Sequence, residues 1–259
     1  MALWDPAQYL KFEDHRARPA FDLIARIGLS VPGDILDLGC GAGNITRVLA
    51  QRFPDRSIIG VDSSPPMIER ARAVLPSARF IDADMATFIP SAPAALIFSN
   101  AALHWLPDHA SLFPKLLARV APGGVLAVQM PRNHAAPSHT LVLEVARAAS
   151  SPTIRAKIEA IWRPSPVEPA EFYYDLLAPG ASTIDLWETE YIHVLEGENP
   201  VTEWTKGTAL RPVLDALEPA ETAEFLAEYG RRIALAYPKS ADGNTLFRFR
   251  RLFLVATAR

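Results

Sequence analysis

The sequence predicts an α/β protein built on a mostly parallel sheet with helices packed on both of its faces. Three observations carry that prediction. Short apolar runs with strand character alternate with amphipathic helical runs from Ile35 to Met130, which implies parallel pairing through helical crossovers. A glycine-rich turn, Gly39-Cys40-Gly41-Ala42-Gly43, joins the first apolar run directly to a helical pattern. A last apolar run, Arg248 to Ala256, follows a helical block and returns as an antiparallel edge. At 259 residues the chain has room for a sizeable core, and it reads as one domain, 1–259, with insertions.

The first helix begins near Pro19, a residue suited to a first turn. Its apolar face of Phe21, Leu23, Ile24 and Ile27 is expected to cover one edge of the sheet. Before it, Trp4, Pro6, Tyr9 and Phe12 are mixed with Arg16 and Arg18, a pattern that fits either a solvated lid with buried rings or a substrate-gripping cap. Ile35-Leu36-Asp37-Leu38 is the first strand, and Asn44 to Arg52 the helix after the turn. Ile58 to Asp62 is the second strand, and Ser63-Ser64-Pro65-Pro66 starts a helix with a hydroxyl cap and an early proline. Arg79-Phe80-Ile81 is the third strand and Ala94 to Ser99 the fourth. A helix from Leu112 to Val120, with His109 ahead of it at the surface, leads through a Pro122-Gly123-Gly124 turn into the fifth strand, Val125 to Met130.

From Pro131 the rhythm breaks. Helices are expected over Ser138 to Ala149 and Thr153 to Trp162, with Arg132, Asn133, His134, Tyr173 and Tyr174 as the polar and aromatic candidates of this insertion. A sixth strand falls within Thr183 to Val194, and a helical block runs from Asn199 to Tyr237. A net charge of -3 gives no footprint for nucleic acid, and no apolar run is long enough to span a membrane. The lone Cys40 excludes an internal disulfide, fits a cytoplasmic setting, and reads as a small turn residue rather than a nucleophile. No His/Cys/Asp cluster has metal-ligand spacing.

The chemistry centres on the turn. Its Gly-x-Gly-x-Gly spacing departs from the dinucleotide fingerprint, and it lacks the Lys-Ser/Thr of a phosphate loop, so a pyrophosphate is not the expected ligand. Asp37 ahead of the glycines suits an ammonium group, while the helix start beyond Gly43 offers N–H groups to a carboxylate. Asp62, ending the second strand, is placed to accept from both hydroxyls of a ribose. S-adenosylmethionine carries an amino-acid end and a ribose. Asp37, Gly39, Gly41, Gly43 and Asp62 together make the chain resemble the class I S-adenosylmethionine-dependent methyltransferases. The resemblance implies their Rossmann-like fold: a mostly parallel seven-stranded sheet with an antiparallel last strand and a substrate cap. That cap would come from segment 1–27 and helical insertions at about 131–180 and 199–237.

It also implies further cofactor contacts. Ser63 and Met67 would lie along the adenine, although Met67 equally suits plain core. Asp84 with Met85 would meet the adenine amino group and ring nitrogen, or form a solvated turn. Asn100, His104 and Trp105 follow the fourth strand, where ligands of open α/β sheets bind. Asn100 and Trp105 would orient and enclose the donor, and His104 is the catalytic candidate beside a structural alternative.

A narrower resemblance, to the bacterial trans-aconitate methyltransferases, extends over nearly the whole chain. It rests on Trp4-Asp5-Pro6 with Tyr9, Arg18-Pro19-Ala20, Asp62 to Pro65, Asn100 to His109, Val128-Gln129-Met130-Pro131, Leu210-Arg211-Pro212 and Leu252 to Thr257. Ala42 and Ala209 depart from the pattern, and Ser150 to Pro169 does not align. The implied reaction moves a methyl group to a carboxylate of a small tricarboxylate, leaving S-adenosylhomocysteine. A carboxylate is already ionised at neutral pH, so the work is alignment and charge balance. Arg16, Arg18, Arg132 and Arg211 are the expected grips, with Tyr9, His104 and Trp204 as lesser candidates. Two rivals stand: a carboxyl methyltransferase of the same fold acting on another small acid or a carrier-bound acyl carboxylate, and a non-catalytic S-adenosylmethionine-binding sensor or assembly protein. Oligomeric state is left open.

Overall fold

The computed structural model describes residues 17–259, so Trp4, Tyr9, Phe12 and Arg16 lie outside the described residues. The described chain forms two compact units. The first runs to Pro131 and takes in Pro166–Thr189 and Arg251–Arg259; the second comprises Arg132–Ser165 and Glu190–Arg250.

The first unit holds the sheet's parallel core. β1 (Ile35–Leu38), β2 (Ile58–Asp62) and β4 (Ala94–Asn100) are buried nearly throughout. Strands covered on both faces read as continuous apolar runs instead of alternating ones. With β3 (Arg79–Asp82), β5 (Val120–Pro131), β6 (Ala181–Leu195) and β7 (Thr245–Ala258) they make a seven-stranded sheet in the order β3-β2-β1-β4-β5-β7-β6. β1 to β5 pair in parallel, and β7 runs antiparallel to β5. The sequence placed the antiparallel strand at the edge, whereas β7 lies inside and β6 takes the edge. Ser182 Oγ donates to the carbonyl of Thr257, and Arg248 pairs with Glu190 further along, so β6 and β7 also run oppositely. Both strands are longer than their apolar patterns suggested, because ladder hydrogen bonds continue where side chains turn polar.

Successive strands step outward from β1 to β3, then cross back to β4. Ligands of open α/β sheets bind in the crevice opened by such a reversal, here between β1 and β4. α1 (Arg18–Ala25) buries Phe21, Leu23 and Ile24. It packs against β5, an interior strand, in place of the edge expected from sequence. Arg26 just beyond it reaches the edge strand, pairing with Asp185 at 3.2 Å and lying over the Trp187 ring. α2 (Asn44–Arg52) follows the glycine turn.

α3 (Pro65–Val74) follows β2. Its N-cap Ser64 makes no side-chain cap bond, contrary to expectation. Prolines at 65 and 66 bring no N–H to cap, and the first available donor, Met67 N, bonds the Ser64 carbonyl. β5 begins at Val120, and Pro122-Gly123-Gly124 lies within it as an irregular stretch where its register with β4 shifts. α4 (His109–Ala118) starts earlier than predicted, and α7 (Ala170–Leu177), missed in the sequence, packs against it.

The second unit contains α5 (Pro137–Ala148), α6 (Pro152–Ile161), α8 (Pro200–Lys206), α9 (Arg211–Ala216) and α10 (Pro219–Ala236). Its own core joins Val142, Ile154, Val201, Phe225, Tyr229 and Phe247.

Candidate cofactor and methyl-transfer site

Two loops leave the sheet side by side at the reversal, one after β1 and one after β4. The first turns tightly because Gly39 N and Cys40 N both bond the carbonyl of Val61 on the neighbouring strand, at 2.8 and 3.1 Å. Gly39 has a φ of 76°, and a side chain there would collide with Ala102 of the second loop. The two loops can meet this closely only through glycine. Gly41 has a φ of 53° and open space where a Cβ would stand. Gly43, with φ of 82°, caps α2 through its backbone without any side-chain bond, which leaves the helix's first N–H groups to other acceptors.

Asp62 closes this cradle from β2. Its Oδ2 accepts from Gly41 N and its Oδ1 from Ser64 N, both at 2.9 Å. A carboxylate so held is oriented before any ligand arrives, and each oxygen keeps a lone pair for a hydroxyl.

Asp37 requires correction. The sequence suggested that it faces a ligand's ammonium group, but it is 2% exposed and its Oδ2 accepts from Thr46 Oγ1 at 2.6 Å. Burial pushes its pKa up to about 7, with the charge of Asp62 adding to the rise and the Thr46 bond opposing it. Asp37 ties β1 to the first turn of α2 beneath the glycines. Cys40 is also buried, and burial followed by the charges of Asp37 and Asp62 raises its thiol pKa. Its sulfur lies beside Gly60, where a side chain would meet it. A thiol so protonated is a packing group.

After β2, Ser63 is exposed and Met67 partly covered on α3. After β3, Asp84 is exposed; its Oδ1 accepts from Ala86 N at 2.9 Å, leaving the second oxygen for a ligand donor. Met85 beside it packs toward the glycine turn, its sulfur 3.4 Å from the position a Gly39 Cβ would take. After β4, Asn100 is half-buried and its Oδ1 is buried without a hydrogen-bond partner among the described residues. Ala101 follows in the left-handed region at φ of 51°, a strained conformation for alanine that swings the chain into the 3-10 turn Leu103–Trp105. His104 and Trp105 lie with ring centroids 4.7 Å apart, the indole 59% exposed.

His109 is buried, not at the surface. Leu103 O is an acceptor only, so His109 Nε2, 3.0 Å away, carries the proton. Nδ1 then accepts from the Tyr173 hydroxyl at 2.6 Å, and that hydroxyl accepts in turn from Glu168 N at 3.2 Å. Burial lowers the His109 pKa, keeping this neutral tautomer. The chain His109–Tyr173 therefore holds the turn that carries His104. Neither role was read from the sequence, because both depend on α7 coming back to α4.

Of the described substrate candidates, Arg18 is exposed at the start of α1 in the first unit. Arg132, Trp204 and Arg211 belong to the second. Arg132 is half-buried with its backbone N–H on the Arg250 carbonyl, and Arg211 is exposed at the start of α9. Trp204 is withdrawn as a binding residue. It is 9% exposed, stacks on His193 at 4.8 Å and packs against Phe247 and Phe249 in that unit's core. Of the other insertion residues, Tyr173 is the structural partner described above, while Tyr174 is 53% exposed.

A methyltransferase domain model matches residues 12–163. The trans-aconitate 2-methyltransferase of Methylobacterium nodulans is 49% identical over 258 residues, covering 99% of this chain and 98% of that one. That of Azoarcus sp. is 46% identical over 256 residues, covering 99% of each. The chain belongs to the trans-aconitate 2-methyltransferase family. Its fold is shared with Haemonchus contortus phosphoethanolamine N-methyltransferase 2, solved with S-adenosyl-L-methionine, at a TM-score of 0.54 with 16% identity, covering 93% of this chain and 53% of that one. The YcgJ protein of Bacillus subtilis has a TM-score of 0.57 at 14% identity, covering 93% and 98%. The residues present fit the cofactor of this family. Gly41 leaves the cradle open, Asp62 is oriented to receive hydroxyls, and the unpartnered Asn100 Oδ1 offers an acceptor at the end of β4.

Proposed function

We propose that this protein transfers the methyl group of S-adenosylmethionine to a carboxylate of trans-aconitate, forming a monomethyl ester. The observation that carries the reading is full-length identity of 44–49% to relatives bearing that activity in their names, joined to an intact cradle at the reversal of the sheet. The cofactor supplies an electrophilic methyl on a sulfonium. The protein's own residues bind and orient. Asp62 takes the ribose hydroxyls, Ser63, Met67, Asp84 and Met85 border the adenine, and Asn100 Oδ1 accepts from the ammonium group. His104 is proposed to contact the substrate, and Trp105 to limit water.

No general base is needed, since a carboxylate of reference pKa about 4 is ionised at neutral pH. The catalytic task is to hold oxygen, methyl and sulfur in line, a positioning effect that reaches about 7 to 11 kcal/mol at best. Arg18 is the proposed grip from the first unit for a carboxylate that does not react; Arg132 and Arg211 are separate candidates, with Tyr9 and Arg16 as further candidates outside the described residues. The cytoplasm is the proposed location, in keeping with a single buried thiol. Among the described residues no helix is long and apolar enough to cross a membrane.

Transfer from labelled S-adenosylmethionine to a panel of small di- and tricarboxylates tests the reading. Trans-aconitate is expected to be the preferred acceptor. Transfer to a carrier-bound acyl carboxylate with none to trans-aconitate would refute it.

A further inference from the structure

The sequence marks Val128-Gln129-Met130-Pro131 as distinctive, yet the cofactor site makes no use of it. Gln129 is a polar residue near the carboxyl end of a buried apolar strand and is fully buried. Among the described residues its Nε2 has no hydrogen-bond partner. An amide donor left bare in this way costs about as much as a lost hydrogen bond, so a side chain of this kind is explained by something that is meant to accept from it.

Its neighbours say what that is. Gln129 is in register with Asn100 on β4 and Phe253 on β7. Arg251, paired with Pro131, is therefore the diagonal neighbour of Gln129 on the same face, one step nearer the carboxyl end of β5. Arg251 is 5% exposed, and its Nη1 donates to Gln129 Oε1 at 3.5 Å. That contact consumes the acceptor of the Gln129 amide and leaves its two N–H bonds to point elsewhere. A buried guanidinium and an amide N–H that meets no acceptor among the described residues therefore lie side by side, and both are donors. They lie at the carboxyl ends of β4 and β5, where ligands of such sheets bind. Asn100, next in the row, presents the opposite polarity, a bare acceptor. The row thus offers an acceptor suited to an ammonium group and, beside it, donors suited to a carboxylate.

We propose that Gln129 and Arg251 form the subsite for one carboxylate of the substrate, and that this carboxylate is not the one methylated. The second part follows from charge. A guanidinium bound to the attacking oxygen would withdraw the electron density the transfer needs, so it serves better as an anchor that fixes where the reacting carboxylate falls. The inference rests on the carboxylate-methylating reading above and adds to it the residues that select the acid.

The test uses the full-length chain with Gln129→Met, Gln129→Glu and Arg251→Lys variants. The apparent KM and kcat for trans-aconitate are measured alongside S-adenosylmethionine affinity by calorimetry. Inhibition constants are measured for itaconate, glutaconate and mesaconate, each of which lacks a different one of the three carboxylates. Gln129→Met is expected to raise KM by about tenfold and Gln129→Glu by about 30-fold or more, with kcat and cofactor affinity within about threefold. Arg251→Lys, which keeps the charge but not the fork, is expected to raise KM by about tenfold. One of the three analogues should lose little in every variant, because it lacks the carboxylate the pair receives.

A wild-type chain that methylates trans-aconitate while both Gln129 variants keep its KM within about twofold would overturn the subsite and leave the function standing. Equal weakening of trans-aconitate and all three analogues, or parallel loss of S-adenosylmethionine affinity, would assign the pair to the fold and overturn it as well. A wild-type chain that neither methylates nor binds trans-aconitate overturns both.

Discussion

Replacing Asp62 by alanine isolates the group that organises the cofactor cradle. Its carboxylate holds Gly41 N and Ser64 N at 2.9 Å each, one on the glycine turn and one at the start of α3, and is proposed to accept two ribose hydroxyls with its remaining lone pairs. Hydrogen bonds to a charged acceptor contribute about 1.5 to 3 kcal/mol each net of exchange with water, and two bonds sharing one carboxylate add less than fully, so a combined loss of about 2 to 4 kcal/mol in donor affinity is expected. That corresponds to a dissociation constant raised about 30- to 1000-fold. The two backbone N–H groups also lose their acceptor, yet both lie near the surface where water can substitute, so folding stability should fall by only about 1 kcal/mol. Isothermal calorimetry with S-adenosylmethionine and S-adenosylhomocysteine, beside urea unfolding of the free chain, separates the two effects. Asp62→Asn sharpens the comparison: it keeps the shape but turns one oxygen into a donor facing a backbone N–H. Unchanged affinity in the alanine variant, with the fold intact, would refute the ribose assignment.

Other expectations follow from the same geometry. Asp37 has a folded-state pKa of about 7 against 3.8 for an ordinary aspartate, so the folded state keeps a proton the unfolded chain has lost, and stability falls as pH rises between those values. Asp37→Asn, which keeps an acceptor for Thr46, should therefore gain about 2 to 4 kcal/mol relative to the native chain between pH 4 and pH 8; urea unfolding giving the same difference at both pH values would count against it. Tyr173→Phe leaves the Nδ1 acceptor of His109 buried and unpaired, and should cost about 1 to 3 kcal/mol by denaturant unfolding, with no change meaning that the bond is not formed in solution. Activity should survive exhaustive chelation, because a carboxylate nucleophile is ionised without a Lewis acid. Loss restored by a divalent ion would contradict that.

The sequence by itself determined the parts of this protein whose interactions are local. Apolar runs broken by helical periods specify β1 to β5 and the helices between them. Gly39 to Gly43 can be read as a turn because backbone conformations open to glycine are a property of single residues. Asp62 can be placed because it ends a strand at a known distance from that turn. What the tertiary structure alone decided depends on which strands and helices return to one another. Asp37 reads as a ligand contact in sequence, and only the arrival of Thr46 over it makes it a buried tie. His109 reads as surface until α7 brings Tyr173 to it. Trp204 reads as a binding aromatic until His193, Phe247 and Phe249 close around it. β7 reads as an edge because its apolar run comes last, while strand order is set by pairing with β5 and β6. Gln129 carried a local signal, a polar residue inside a buried strand, but its partner did not. Arg251 lies 122 residues further along the chain, among other arginines, and only the antiparallel register of β5 with β7 puts its charge beside that bare amide.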